Sequence, residues 1–409
     1  MQMAKSTTSG AIGKPYLLVI GIPIYVDDHG VHWADPLWHK DLVRHLDYLN
    51  DFFLACPHIA GTPPAGWISL EGYPIHYVPI PRQLGRFRSV LTGPATFVAL
   101  WRAIQHVDVV HTGVGGWYPW STSNIAAAIS ILLKRFRITI VESSTWRLLP
   151  GEPAWVGKRI DSSLSEWANR ISVGAADLSI FTHAEYKRSL LRKNSTRGHV
   201  IHASWINEND ILSDTQAREC WSRKRESGLV RFLFAGRLSP SKGVRQLLQA
   251  LKLLQDVGSR IFLDIMGSGE LEDECRAFLA TSVDSSPNVR MVAPVQYGPE
   301  FFDCLRSYSA VLVPSLGDEQ PRIVYDALAV AVPPLASSTV GIADCVEDGV
   351  TGRLFRPGSA DELANAMKWA ISSSASLETM GMRGLDRARS MTHSAMHQQR
   401  LALLLKALV

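Results

Sequence analysis

Short, almost continuous apolar runs alternate along this chain with longer stretches in which apolar residues recur every three or four positions. The first pattern is how strands buried on both faces read, and the second is that of amphipathic helices. In the first half the pattern predicts strands over 16–24, 51–55, 76–79, 107–111, 138–141 and 178–182. Helices are predicted between them over 40–49, 93–105, 123–133 and 165–175. Strictly alternating strands and helices give parallel α/β sheets. A second strand series opens at Val230. The polar stretch 208–228, with its helical patch, reads as the linker, placing domains at 1–207 and 208–390.

In the second half three strands stop at turns that carry glycine or charge. The run from Arg231 ends at Gly236, and a Ser/Pro turn then holds Arg237 and Lys242 before Gly243. The run from Leu263 ends at Gly267-Ser268-Gly269, ahead of a polar helix from Glu270. The run from Val311 stops at Pro314; its turn carries Asp318, and the helix opening near Pro321 carries Asp326. In an open α/β sheet ligands bind where strands end and helices begin, and the free N–H groups of a helix N-terminus favour a phosphate. Arginine grips two phosphate oxygens at once, while lysine acts as a point charge. Carboxylates nearby suit sugar hydroxyls. The set fits a nucleotide diphosphate sugar.

These blocks resemble the donor-binding domain of the retaining GT-B glycosyltransferases of family 4 (glycosyl transferases group 1). Residues 235–243 are similar to the family's G-R-L-x-x-x-K-G phosphate loop. Residues 318–326 resemble its paired-acid segment, with Asp318 and Asp326 where the family writes glutamates. Residues 347–357 look like its closing E-x-G-x-T-G-x-L-x-x-P strand pair. The turn 331–334, Ala-Val-Pro-Pro, stands where the family favours a glycine. The likeness covers about 230–370 and is diffuse before that.

The resemblance implies a GT-B fold, two Rossmann-like parallel-sheet domains facing each other across a cleft, with the C-terminal helix (391–409) returning to the first. It implies donor contacts from Gly236, Arg237, Lys242, Gly267, Asp318 or Glu319, Arg322, Ile323 and Asp326. Of these, Arg237, Lys242 and Asp318 belong to the catalytic set, completed from the first domain by Glu142 and His111. Glu142 falls where family members often carry a histidine after a mid-domain strand. The implied reaction is front-side displacement of a hexose onto a glycan hydroxyl, the acceptor being polyprenyl-diphosphate-linked. It needs no cofactor, and with no D-x-D motif present, cations and a helix dipole stand in for a metal. The implied setting is bacterial polysaccharide synthesis, cytoplasmic with peripheral contact at the inner face of an anionic membrane. A catalytically silent sugar-nucleotide binder and a GT-B epimerase are the alternative readings.

Each residue also has a plainer reading. Asp318 can cap the helix that follows, and Asp326 can pair with Arg322 at i,i+4. Glu142 can pair with Arg147, and His111 can be a satisfied strand-end histidine. Gly267 can simply end a strand, and Gly341 is equally open. The loop 113–120, rich in glycine with two Trp and a Tyr, suits stacking on a sugar ring or ordinary core packing. Arg82, Arg86 and Arg88, interleaved with Leu84 and Phe87, read as solvated charge or as a contact for lipid headgroups or an acceptor's pyrophosphate.

Bulk properties narrow the field. A chain of 409 residues is long enough for two ordinary domains. A net charge of +4 is too weak for a nucleic-acid binder, which would show a dense basic stripe. Five scattered cysteines without a C-x-x-C pair point to neither zinc nor a disulfide framework. The apolar run 16–25 has the look of a secretory signal, but Pro23 interrupts it and Asp27-Asp28 follow, so it is expected to be a buried strand.

Overall fold

The computed structural model describes residues 12–83, 85–115, 120–149, 152–192, 195–254, 261–281 and 288–408, with only the backbone of Arg86 and Phe87. The chain divides into two compact units. One comprises 1–148, 153–201 and 397–409, and the other 149–152 and 202–396.

The first unit is built on strands β1 (Tyr16–Val19), β2 (Ile24–Val26), β3 (His32–Ala34), β4 (Phe52–Ala60), β5 (Ile68–Ser69), β6 (Ile75–Ile80), β7 (Val109–Thr112), β8 (Phe136–Val141), β9 (Leu178–Phe181) and β10 (Gly198–Val200). Their parallel core runs β10-β9-β8-β7-β1-β4, with β6 on the far side of β4. Strands β1, β7 and β9 are buried throughout, as continuous apolar runs require. The strand predicted over 16–24 is two strands: β1 ends at Val19, and the chain re-forms as β2 after Pro23. Proline has no N–H for a ladder, so it marks the break. The far end of β4 pairs with β2, which continues antiparallel through β3 to β5.

Helices α1 (Pro36–Leu46), α2 (Gly85–Ile104), α3 (Thr122–Leu132), α4 (Val156–Gly174) and α5 (Ala184–Leu190) connect these strands. Asp35 caps α1, accepting from Leu37 N at 2.8 Å and Trp38 N at 2.9 Å, and Pro36 sits at its first turn. Leu100 and Ile104 of α2 pack with Ile125 and Ile129 of α3 over Leu17 and Val110 of the sheet.

The second unit has β11 (Val230–Ala235), β12 (Ile261–Met266), β13 (Asn288–Val292), β14 (Ala310–Val313), β15 (Pro334–Ser337) and β16 (Arg353–Phe355), all parallel in the order β13-β12-β11-β14-β15-β16. Its helices are α6 (Asp214–Ser227), α7 (Val244–Lys252), α8 (Glu272–Thr281), α9 (Pro299–Leu305), α10 (Arg322–Ala329), α11 (Val340–Ala343), α12 (Ala360–Ser372) and α13 (Ser374–Arg389). From β11 the chain winds outward through β12 to β13, then returns to lay β14 on the other side of β11. The order therefore reverses between β11 and β14. Both units are Rossmann-like α/β layers, as the alternation predicts.

The stretch 208–228 corrects its reading as a linker. It contains α6, opened by a Ser213/Gln216 capping box and closed by Gly228 in the left-handed region at φ 63°. Ala217, Cys220, Trp221 and Lys224 form its buried stripe, and the Trp221 indole donates to Ala331 O at 2.9 Å. The helical patch of this stretch is thus a packed helix whose polar outer face hid its buried stripe. Ala331 itself sits at φ 56°, so the turn where the family favours glycine has a glycine-like backbone here.

The last helix, α14 (His393–Leu408), belongs to the first unit from His397 onward. His397 bonds Asp41 at 3.0 Å and the Tyr48 hydroxyl at 3.1 Å, and Lys14 donates to Leu408 O at 2.8 Å. No helix among the described residues is long and apolar enough to cross a membrane.

Candidate functional site

The strand order of the second unit puts a crevice outside the carboxyl ends of β11 and β14, the position at which open α/β sheets bind ligands. Three loops meet there, backbone against backbone. Leu316 N donates to Ser241 O at 2.8 Å, joining the loop after β14 to the loop after β11. Leu238 N donates to Ser268 O at 2.8 Å, joining the latter to the loop after β12. Gly243 has φ 71°, and a Cβ there would lie 1.8 Å from Pro314 O. A Cβ on Gly267 would lie 1.9 Å from Gly236 O. These glycines are required by the packing of the loops, which also gives Gly267 a structural role independent of any ligand.

The two cations differ. Arg237 is exposed and makes no ion pair among the described residues. Lys242, in the short 3-10 turn 240–242, is held in an ion pair by Glu319 across the crevice. Neither α7 nor α10 has a side-chain cap: their N-cap residues are Gly243 and Pro321. The N–H groups opening these helices are therefore not spent on a capping side chain.

Of the acids, Asp318 and Glu319 are both half-buried in the turn after β14. That turn is pinned by α11, because a Cβ on Gly341 would lie 2.2 Å from Asp318 O. Asp326, just over one turn into α10, is only 2% exposed. It accepts a 2.8 Å hydrogen bond from the Tyr297 hydroxyl, while Arg322 Nε stands 3.9 Å away. The Arg322 guanidinium lies over the Tyr297 ring at 4.7 Å. Burial, then the Asp326 charge, raises the Tyr297 pKa, so its hydroxyl remains a donor. Ile323 is half-buried beside Arg322. Within this unit the structure thus gathers Gly236, Arg237, Lys242, Gly267, Asp318 and Glu319 around the switch-point loops, with Arg322, Ile323 and Asp326 on α10.

Tyr297 was not singled out in the sequence. It lies in a loop before α9, and no local pattern marks a residue whose partner is on another element. The same holds for His202, whose Nδ1 is 2.9 Å from Gln320 Nε2.

In the first unit His111 is interior to β7, only 6% exposed, with its Nδ1 bonded to the Tyr16 hydroxyl at 2.8 Å. Burial, then the His45 charge, pushes its pKa well below the usual histidine value, so it is neutral. The Glu142 side chain, just past β8, is 64% exposed and faces Arg400 of α14 at 3.8 Å. Its plainer reading as the partner of Arg147 does not hold. Arg147 is taken by Glu166, which accepts from Nε and Nη2 at 2.9 Å each. Trp117 and Tyr118 of the glycine-rich loop, Leu84, and the side chains of Arg86 and Phe87 lie outside the described residues.

The family model described as glycosyl transferases group 1 matches residues 230–373, from the start of β11 to the end of α12. Among curated proteins, a D-inositol 3-phosphate glycosyltransferase of Kribbella flavida is 28% identical over 173 residues, 40% of each chain. A lipopolysaccharide 1,2-N-acetylglucosaminetransferase of Salmonella typhimurium is 31% identical over 146 residues, 34% of this chain and 38% of the other. The chain thus spans about two fifths of the length of these relatives. Among solved structures, Anabaena Alr3699/HepE in complex with UDP-glucose superposes with a TM-score of 0.67 at 16% identity, covering 96% of this chain and 100% of that one. A sucrose-phosphate synthase from Thermosynechococcus elongatus gives 0.68 at 16% identity, covering 97% and 99%. These likenesses establish the GT-B fold.

Proposed function

We propose that this chain is a retaining hexosyltransferase that moves a hexose from a nucleotide diphosphate sugar to a hydroxyl of a lipid-linked glycan, without a metal or cofactor. The observation that carries this reading is the placement of Arg237 and Lys242 at the β11/β14 switch point, beside helix N-termini without side-chain caps and a turn bearing two acids. Group 1 matching over 230–373 supports it, as do the activities named for the Kribbella and Salmonella relatives. The Anabaena protein was solved with UDP-glucose, which makes a uridine donor the first to test.

In the proposed reaction the bond from the anomeric carbon to the diphosphate breaks, and the acceptor hydroxyl bonds to that carbon on the same face. The hydroxyl proton passes to the departing phosphate oxygen. Negative charge grows on the diphosphate as it leaves. Arg237 and Lys242, already placed, stabilise it more than the ground state, which is what accelerates the step. Asp318 or Glu319 would accept from sugar hydroxyls and Asp326 from the ribose. From the first unit we retain Glu142, whose carboxylate is exposed, for contact with the donor sugar or acceptor. His111 is enclosed and bonded to Tyr16.

The test is nucleotide release from UDP-, GDP- and ADP-hexoses with a polyprenyl-diphosphate-linked glycan, followed by NMR of the new anomeric centre. Release with the donor's configuration kept is the expected result. An inverted product would overturn retention. Release from no donor, in folded protein that binds a nucleotide, would favour the silent binder.

A further inference from the structure

Helix α4 is turned inside out. The residues it buries are small or polar: Ala168, Asn169, Ser172 and Val173, with the Asn169 carboxamide accepting from Gly115 N at 3.1 Å. The residues it exposes are apolar: Val156 at 72%, Ile160 at 54%, Leu164 at 45%, Trp167 at 56% and Ile171 at 48%, preceded by Trp155 at 73%. Steps of four, four, three and four put these five on one stripe of a 3.6-residue helix, about 24 Å long. A water-facing helix normally has the opposite arrangement. Arg159 and Arg170 lie along one margin of the stripe, Arg159 donating to Ala154 O at 3.2 Å and Arg170 to Glu166 at 3.2 Å.

A second helix also carries exposed apolar residues. Helix α2 exposes Val90, Leu91, Phe97 and Val98, with exposed Arg88 and Arg102 towards its two ends. The crossovers through α2, α3 and α4 step in the same direction across the sheet. Right-handed connections therefore place all three helices on one face.

We propose that this helical face of the first unit, with the α4 stripe as its inserting element, docks on an anionic lipid bilayer. An apolar stripe with tryptophans, edged by arginines, fits the boundary between acyl chains and headgroups, the arginines meeting anionic headgroups. A bilayer fits this face because Trp155 and Trp167 stand beside Arg159 and Arg170, and α2 adds exposed Arg88 and Arg102. The inference extends the lipid-linked acceptor of the proposed function by naming the surface that reaches the membrane. It does not depend on donor binding.

The test is flotation of the full chain with vesicles of phosphatidylcholine alone and of phosphatidylcholine with phosphatidylglycerol. Binding to the anionic vesicles is expected, weakening at high salt. Ile160→Glu/Trp167→Glu should lower it by roughly tenfold or more, with thermal melting and nucleotide binding unchanged. Arg159→Gln/Arg170→Gln should lower binding to anionic vesicles by roughly tenfold. Three results would overturn the proposal: wild-type protein that floats with neither vesicle, binding that survives Ile160→Glu/Trp167→Glu, or a wild-type dimer that this variant converts to monomer. Loss of vesicle binding with nucleotide binding intact leaves the donor site untouched, so the two proposals fail separately.

Discussion

Lys242 is paired with Glu319 across the crevice between the loops that follow β11 and β14. A diphosphate that reaches the lysine must displace this carboxylate or share the cation with it. Partly exposed ion pairs of this kind contribute about 0.2–1 kcal/mol. Glu319→Gln should therefore tighten nucleoside diphosphate binding by up to about fivefold. Calorimetric titration checks this. Weaker binding of an intact nucleotide sugar by the variant, with the diphosphate bound no less tightly, would instead make Glu319, not Asp318, the acid that serves the donor sugar.

Gly243 joins the same two loops through its lack of a side chain. Its backbone is left-handed, and a methyl group would overlap the carbonyl of Pro314, which belongs to a sheet loop with little freedom to retreat. Gly243→Ala should cost about 2–4 kcal/mol through strain and overlap. Urea unfolding followed by tryptophan fluorescence reads the cost. A change below about 0.5 kcal/mol would show that the loops can move apart to admit a methyl group.

Asp326 and Tyr297 form the support beneath α10. Replacing the tyrosine by phenylalanine removes a donor from a buried carboxylate while keeping the ring under Arg322. The expected loss is about 1–3 kcal/mol of stability, with the nucleotide site disturbed through Asp326. Unchanged stability and unchanged nucleotide affinity in Tyr297→Phe would mean that the other contacts of Asp326 suffice.

Acid should weaken the first unit. Burial, then the His32 charge, lowers the His58 pKa to about 4, and burial holds His111 well below the ordinary value of 6.5. Both are neutral when folded and titrate near 6.5 when unfolded, so the unfolded chain binds more protons below that pH. Their stabilisation is fully present above 6.5 and is lost as pH falls from 6.5 towards 4. For His58 the loss is on the order of 2–3 kcal/mol. The melting temperature of wild type should drop across this window, and His58→Gln should flatten the drop. Parallel curves would contradict this origin.

The periodic alternation of strands and helices was enough to read two parallel α/β layers, because buried parallel strands are apolar on both faces. The turn after β11 was legible because Gly236, Arg237, Lys242 and Gly243 are close in sequence, although Lys242 meets Glu319, and Gly243 meets Pro314, only in the folded chain. What escaped depends on partners far along the chain. Tyr297 meets Asp326 from another element, and α6 hid its Trp221 stripe behind a polar face. Helix α4 runs Val156–Gly174, longer than the 165–175 read from the pattern, and its apolar period marks the exposed side. Periodicity gives a face and not the direction in which it points.

The most direct test of a diphosphate site is titration of UDP, GDP and ADP into the wild type and into Arg237→Ala/Lys242→Ala. The wild type should bind a nucleoside diphosphate, and the double variant should lose roughly a hundredfold or more, since each charged contact contributes about 1.5–3 kcal/mol. No binding to folded wild-type protein, or equal affinity in the two proteins, would contradict a diphosphate site at the β11/β14 switch point.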